Sequence, residues 1–232
     1  MNRFIAVGAA ALALVAGVAF WLNSAPTPSQ AEMAFGAVNA QENSGDSATD
    51  MEDVDTSSVV EMTLGEPEAP VTLIEYASFT CPHCASFHDN QFKKLKQDYI
   101  DTGKVHFIYR DVYFDRFGLW ASMVARCGGQ ERFFGIAEMI YDQQKDWIGN
   151  GQDPVAIADR LRKIGKVAGL DDDTLDACLK DDQWAKTLFA WYRENAGADD
   201  VTSTPTLIIN GEKHSNQSYD ELKDIIDAEL EG

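Results

Sequence analysis

Cys81 and Cys84 flank a Pro-His pair in "SFTCPHCASFH", Ser78 to His88, and two sulfurs at that spacing can hold a metal, carry a haem or exchange electrons. A closed zinc site takes four ligands, and this motif supplies two. The other cysteines, Cys127 and Cys178, are far in sequence from the motif and from each other, and His83 and His88 would need a local cage around them. Covalent haem needs a His directly after the second Cys, where Ala85 stands. An inert stapled turn is a further alternative, although a bridge across one helical turn closes too short a loop to stabilise much.

Electron exchange has a physical mechanism in these residues. Cys81 falls where a strand hands over to a helix, with Pro82 at the first helical position, where its missing N–H costs nothing and its fixed φ suits the turn. The free N–H groups and the positive end of the helix dipole favour a thiolate at Cys81, and His83 can add a hydrogen bond or a positive charge. A stabilised thiolate favours the reduced form, so the disulfide becomes a stronger oxidant. Cys84, one turn on, is expected to be more buried and less acidic, suited to resolving a mixed disulfide.

The elements that position this motif follow from periodicity. "VTLIEYASF", Val71 to Phe79, is a largely apolar strand. After Cys81 the apolar residues Cys84, Phe87, Phe92, Leu95 and Tyr99 approach helical spacing, and "KVHFIYRDVYF", Lys104 to Phe114, is a second strand. Together they make a βαβ unit. From Asp115 to about Gly197 the pattern predicts four or so helices, broken at "IGNGQDP" and "AGLDDD". "TPTLIINGEKH" then predicts a hairpin turning at Asn210-Gly211, and a last helix from Tyr219 to Leu230 places Leu222, Ile225, Ile226 and Leu230 on one face.

The chain has 232 residues, 45% of them hydrophobic, enough for one folded domain beginning near Val59. The formal charge of −19 argues against nucleic acid and anionic membrane surfaces as partners, since both require a concentrated positive patch. Arg3 precedes an uncharged run of 19 residues, Phe4 to Leu22, so residues 1–31 are expected to be an export signal or a membrane anchor. The domain is therefore expected outside the cytoplasmic membrane, in a bacterial periplasm, soluble after cleavage or tethered by residues 4–22, where disulfides persist. Residues 32–58 are poor in large apolar side chains and read as a flexible acidic tether; Asn23 to Ser58 holds seven acidic residues, no basic one and no heptad pattern.

The order strand, "CPHC", helix, strand, helical insertion, "TPT", hairpin, helix resembles the DsbA-like thiol-disulfide oxidoreductases, which have an α/β thioredoxin fold with an inserted all-helical subdomain. The resemblance covers about Val59 to Leu230, and "EYASFTCPHCASFH" carries its most specific part, "CPHC" being the dipeptide variant of the oxidising members. It implies that Pro205 is a cis-proline beside the active-site cysteines and that the chain edge at Thr204 pairs with an extended substrate. It also implies that Glu75, an acid in an apolar strand, relays a proton for Cys84; a buried carboxyl there is expected to have a raised pKa, the alternative being a solvated, edge-facing Glu. For Cys127 and Cys178 an oxidising compartment suggests a second, structural disulfide of the kind some members carry and the type member lacks; two buried free thiols are the alternative.

The resulting expectation is a periplasmic thiol-disulfide oxidoreductase, without cofactor and monomeric, that donates its Cys81–Cys84 disulfide to reduced exported proteins. By family resemblance a DsbB-like membrane quinone reductase would reoxidise it. The rivals are a reductase or isomerase of the same fold, and a non-enzymatic module that uses the two cysteines to carry copper.

Overall fold

The computed structural model describes residues 54–232; the apolar leader and the acidic stretch through residue 53 lie outside the described residues. At the start of the described chain the Thr56 hydroxyl donates to Glu194 at 2.8 Å, and the Thr56 carbonyl accepts from the Val59 N–H at 3.0 Å.

Five strands form one sheet: β1 (Met62–Leu64), β2 (Val71–Ala77), β3 (Val105–Asp111), β4 (Thr206–Ile209) and β5 (Glu212–Ser215), in the spatial order β1-β3-β2-β4-β5. Strand β2 is central, parallel to β3 and antiparallel to β4. Its nearly continuous apolar sequence suits a strand covered on both faces. It ends at Ala77 rather than at Phe79, because the Val112 N–H donates to the Ala77 carbonyl and the chain then turns, with the Cys81 N–H donating to the Ser78 carbonyl at 3.0 Å. That turn delivers Cys81 to the start of a helix. Strand β3 likewise ends early, at Asp111, since Asp115 already caps the next helix. The three residues of β1 are too few for a period to show in sequence.

The helix after Cys81 is not the single regular one that the apolar spacing predicts. Helix α1 (Pro82–Phe87) runs into a π-helical turn (His88–Phe92), then α2 (Lys93–Leu95) and a second π-helical turn (Lys96–Ile100). The wide turns change which side chains face inward: His88 and Ile100 are buried, whereas Phe92 is only half-buried.

Between β3 and β4 lie six helices instead of about four: α3 (Arg116–Cys127), α4 (Gly129–Asp142), α5 (Gln144–Ile148), α6 (Pro154–Val167), α7 (Asp172–Leu179) and α8 (Asp182–Ala198). Breaks fall at both stretches that the Gly and Asp residues mark. The additional ones come at Gly129, whose φ of +67° only glycine adopts readily, at Gln143 and at Asp181. Asp115, Asp153, Asp171 and Asp181 each accept a backbone N–H at a helix start, contributions of about 1 kcal/mol apiece. After the hairpin, where Asn210 and Gly211 both have positive φ as a tight two-residue turn demands, α9 (Tyr219–Glu231) starts from a Ser218–Glu221 capping box. It buries Leu222 and Ile226 and leaves Ile225 and Leu230 half-buried.

Two links fasten the inserted helices. Arg126 of α3 donates to Asp111 of β3 at 2.8 Å and 3.0 Å and to the Val60 carbonyl at 3.0 Å, and its guanidinium lies near the rings of Phe133 and Trp191. Cys127, the last residue of α3, is joined to Cys178 of α7 by a disulfide spanning 51 positions. Closing a loop of that size restricts the unfolded chain by about 4 kcal/mol on the chain-entropy model. Replacing Cys127 and Cys178 together by Ser should therefore lower the unfolding free energy by about 2–4 kcal/mol, as read from urea unfolding under oxidising conditions. An unchanged midpoint would mean that the bridge constrains nothing.

Candidate active site

Cys81 is the N-cap of α1, extended in backbone at φ −84° and ψ 117°, with Pro82 in the first helical turn. Its thiol is free, mostly buried, and donates to the Thr204 carbonyl at 3.6 Å. The peptide bond between Thr204 and Pro205 is cis, and Pro205 is buried. These two segments, from opposite ends of the chain, thus meet at one sulfur.

The Cys81 thiol is held down to about 5. A hydrogen bond from Cys84 is the largest cause; burial opposes it, and the Thr204 side chain and the backbone N–H groups of Cys84 and His83 add to it. His83, like Pro82, is exposed, and it is the His83 backbone N–H that acts on the sulfur. Cys84 is fully buried one turn behind. Burial pushes its thiol far above the usual range, with the hydrogen bond to Cys81 and the charge of Glu75 adding to the effect. One sulfur, only slightly accessible, is therefore favoured as a thiolate and the other, sealed from solvent, as a thiol, the division of labour that disulfide exchange requires.

Glu75 lies at the middle of β2, opposite Tyr109 of β3 and Leu207 of β4, with no exposure to solvent. It is not the edge-facing, solvated acid that was the alternative. Its Oε2 lies 3.0 Å from Nε2 of buried His88, and its Oε1 is buried without a hydrogen-bond partner. The His88 ring stacks on Tyr141 at 4.2 Å, and the Tyr141 hydroxyl meets that of Tyr109 at 2.7 Å. Burial raises both phenols well above their ordinary range, so both stay protonated. Cys127 and Cys178, bonded to each other in the inserted helices, are not part of this constellation. Among the described residues no group of three or more His, Cys, Asp and Glu is arranged to hold a metal.

Three residues that sequence reasoning did not assign complete the site. His88 follows Cys84 by four positions, the spacing that puts two side chains on one helix face, and this was the available signal. Gln144 of α5 is buried and its Nε2 donates to the carbonyls of Phe79 and Cys81, each at 2.9 Å, so the insertion grips both sides of the turn that presents the thiolate. Asp115 caps α3 and also accepts from the Thr80 hydroxyl at 2.8 Å. At Gly118 a Cβ would lie 3.3 Å from Ser78 Oγ and 3.4 Å from Thr80 Oγ1, so α3 approaches the turn as closely as glycine permits. No sequence pattern points to Gln144, which lies 63 positions from Cys81.

A family model described as thioredoxin matches residues 57–228. A relative described as a putative protein-disulfide oxidoreductase, from Rickettsia bellii, is 33% identical over 172 residues, covering 74% of this chain and 65% of the relative. The chain thus spans slightly less than two thirds of that relative's length. Among solved structures, alpha-DsbA1 of Wolbachia pipientis aligns with a TM-score of 0.67 at 28% identity, covering 74% of this chain and 91% of that one. A protein-disulfide isomerase from Novosphingobium aromaticivorans also aligns with a TM-score of 0.67, at 27% identity, covering 74% and 98%.

Two measurements check the electrostatics. In the reduced protein, thiolate ultraviolet absorbance should titrate with a midpoint near about 5, and Cys84→Ala should move that midpoint upward by removing the largest stabilising hydrogen bond. The folded value lies below that of an unfolded thiol, so the fold gains stability from Cys81 above the unfolded thiol value and loses it as pH falls through about 5. Gln144→Ala strands two carbonyls and should cost about 2–3 kcal/mol in urea unfolding while raising the same midpoint. A variant as stable as the parent would show that Gln144 does not hold the turn.

Proposed function

The chain belongs to the thioredoxin family, in the DsbA-like form that carries inserted helices, and on that footing we propose that it is an exported thiol-disulfide oxidoreductase that donates its Cys81–Cys84 disulfide to reduced proteins. The observation that carries this reading is the contrast between the two sulfurs, an acidic Cys81 at a helix N-terminus and a fully buried, strongly basic Cys84.

A client thiolate attacks Cys81 Sγ, the Cys81–Cys84 bond breaks, and Cys84 leaves and takes up a proton. A second client thiolate then attacks the client sulfur of the mixed disulfide and expels Cys81 as a stable thiolate. The client loses two electrons, and the protein gains them as one thiolate and one thiol. Because the acidic Cys81 exists only in the reduced form, its stabilisation pulls the equilibrium toward reduction of this protein and oxidation of the client. The bend at Thr204, just before β4 and beside the sulfur, is where an extended client backbone would be taken next to the reacting bond. The apolar leader supports a periplasmic location, free or anchored by residues 4–22, with a DsbB-like quinone reductase as the partner that restores the disulfide.

The likeness to a protein-disulfide isomerase favours one second reading, in which the same thiolate attacks wrong client disulfides. Equilibrating the full chain with glutathione buffers and trapping the thiols with acid separates the two. The expected potential lies well above the thioredoxin value of about −270 mV, toward the oxidising value of about −120 mV found for DsbA. A value at or below that of thioredoxin would sink the oxidant reading.

A further inference from the structure

His88 connects the buried side of the site to a second opening. A cleft of about 270 Å³ lies between the helix after Cys84, β1 and α4, and its lining includes His88 and Tyr141 but none of Cys81, Thr204 or Pro205. His88 is therefore bonded on one side to a carboxyl sealed in the sheet and borders on the other a route to solvent distinct from the mouth where clients must approach. Lys93 and Lys96, with Glu138 and Asp142, line the same cleft, and Lys93 pairs with Asp142 at 3.4 Å.

The chemistry at Cys84 needs such a route. When the reduced protein is reoxidised, Cys84 must lose a proton before its sulfur can attack Cys81, and while a partner is bound through Cys81 the front of the site is covered. We propose that Glu75 and His88 form a relay that carries the Cys84 proton to the cleft between β1 and α4 and returns it during client oxidation, with His88 as its outlet. The inference rests on the disulfide-exchange reading above and adds a residue and an exit to it.

In the outward direction the Cys84 proton passes to the Glu75 carboxyl, whose Oε1 is buried without a hydrogen-bond partner and so open to a proton, and from Oε2 to His88 Nε2. The imidazole releases a proton from its other nitrogen to water in the cleft. The Cys84 thiolate then attacks Cys81 Sγ, forms the internal disulfide and expels the partner's thiolate, so one proton and one leaving thiolate account for the step. An imidazole suits the outlet because it has two ring nitrogens and can take a proton at one while giving one up at the other. The groups that face it are Glu75 from β2, Tyr109 from β3 and Tyr141 from α4; both phenols remain protonated and contribute no charge.

The test follows the reduced full chain as it reacts with oxidised glutathione, using acid quenching to separate capture at Cys81 from resolution by Cys84. In His88→Gln, which cannot carry a proton in this way, resolution at neutral pH should slow by about tenfold or more relative to capture, in line with the loss of one proton-transfer group. An equal change in both steps, or in neither, overturns the relay. Should His88→Gln fail to fold, the parent protein decides: in heavy water its resolution step should slow more than its capture step, and equal slowing of both overturns the proposal. A low redox potential would sink the oxidant reading without altering this split, and an absent split would sink the relay without altering the potential.

Discussion

A carboxyl group at the centre of a five-stranded sheet has to be answered from within the protein, and Glu75 is answered by His88. Leaving a buried hydrogen-bonding group without its partner costs about 1–3 kcal/mol, a large fraction of a domain's net stability. The answer constrains everything around it. His88 must point inward, so the helix after Cys84 widens into a π-helical turn at that residue; Tyr141 must cover the imidazole, so α4 must pack against that turn; and Tyr109, beside Glu75 in the sheet, pairs its hydroxyl with that of Tyr141. The reactive sulfurs are placed at the front of this arrangement, with Cys84 buried against it and Cys81 at the helix end.

The inserted helices take part in presenting the thiolate. Gln144 holds the carbonyls on either side of the turn, and Asp115 ties Thr80 to the start of α3. Both contacts act on backbone or neighbouring side chains and leave the N–H groups at the start of α1 free for the sulfur. At the far end of α3 the Arg126–Asp111 pair and the Cys127–Cys178 bridge keep the same helix in register with the sheet and with α7. The acidic composition has a partial explanation here, since four aspartates serve as helix caps and others pair on the surface with Lys96, Arg162 and Lys166.

What the sequence made legible was local. The Cys-Pro-His-Cys turn, the strand before it, the Asn210-Gly211 hairpin and the apolar face of the last helix are all written in spacings of a few residues, and the order of elements follows from them. The number of inserted helices was less legible, because capping Asp residues cut runs that share one apolar period. Resemblance, not periodicity, pointed to Thr204 and Pro205. Gln144 and the pairing of Glu75 with His88 were beyond a linear reading for a plain reason: each joins residues from different elements, and only the folded sheet with α4 and α5 against it brings them within hydrogen-bond distance.

The ends of the sheet also matter for a protein whose proposed clients are unfolded chains. An open strand edge is a template on which any extended segment can grow, and a domain that repeatedly meets such segments risks being built into an aggregate. Here one edge is a strand of only three residues, and the other, β5, is Glu-Lys-His-Ser, exposed at three of its four residues and carrying the charges of Glu212 and Lys213. Long flat pairing is thereby denied at both borders of the sheet, so that on the proposed reading a visiting chain is met by the backbone beside Thr204, next to the sulfur, and not by an open edge.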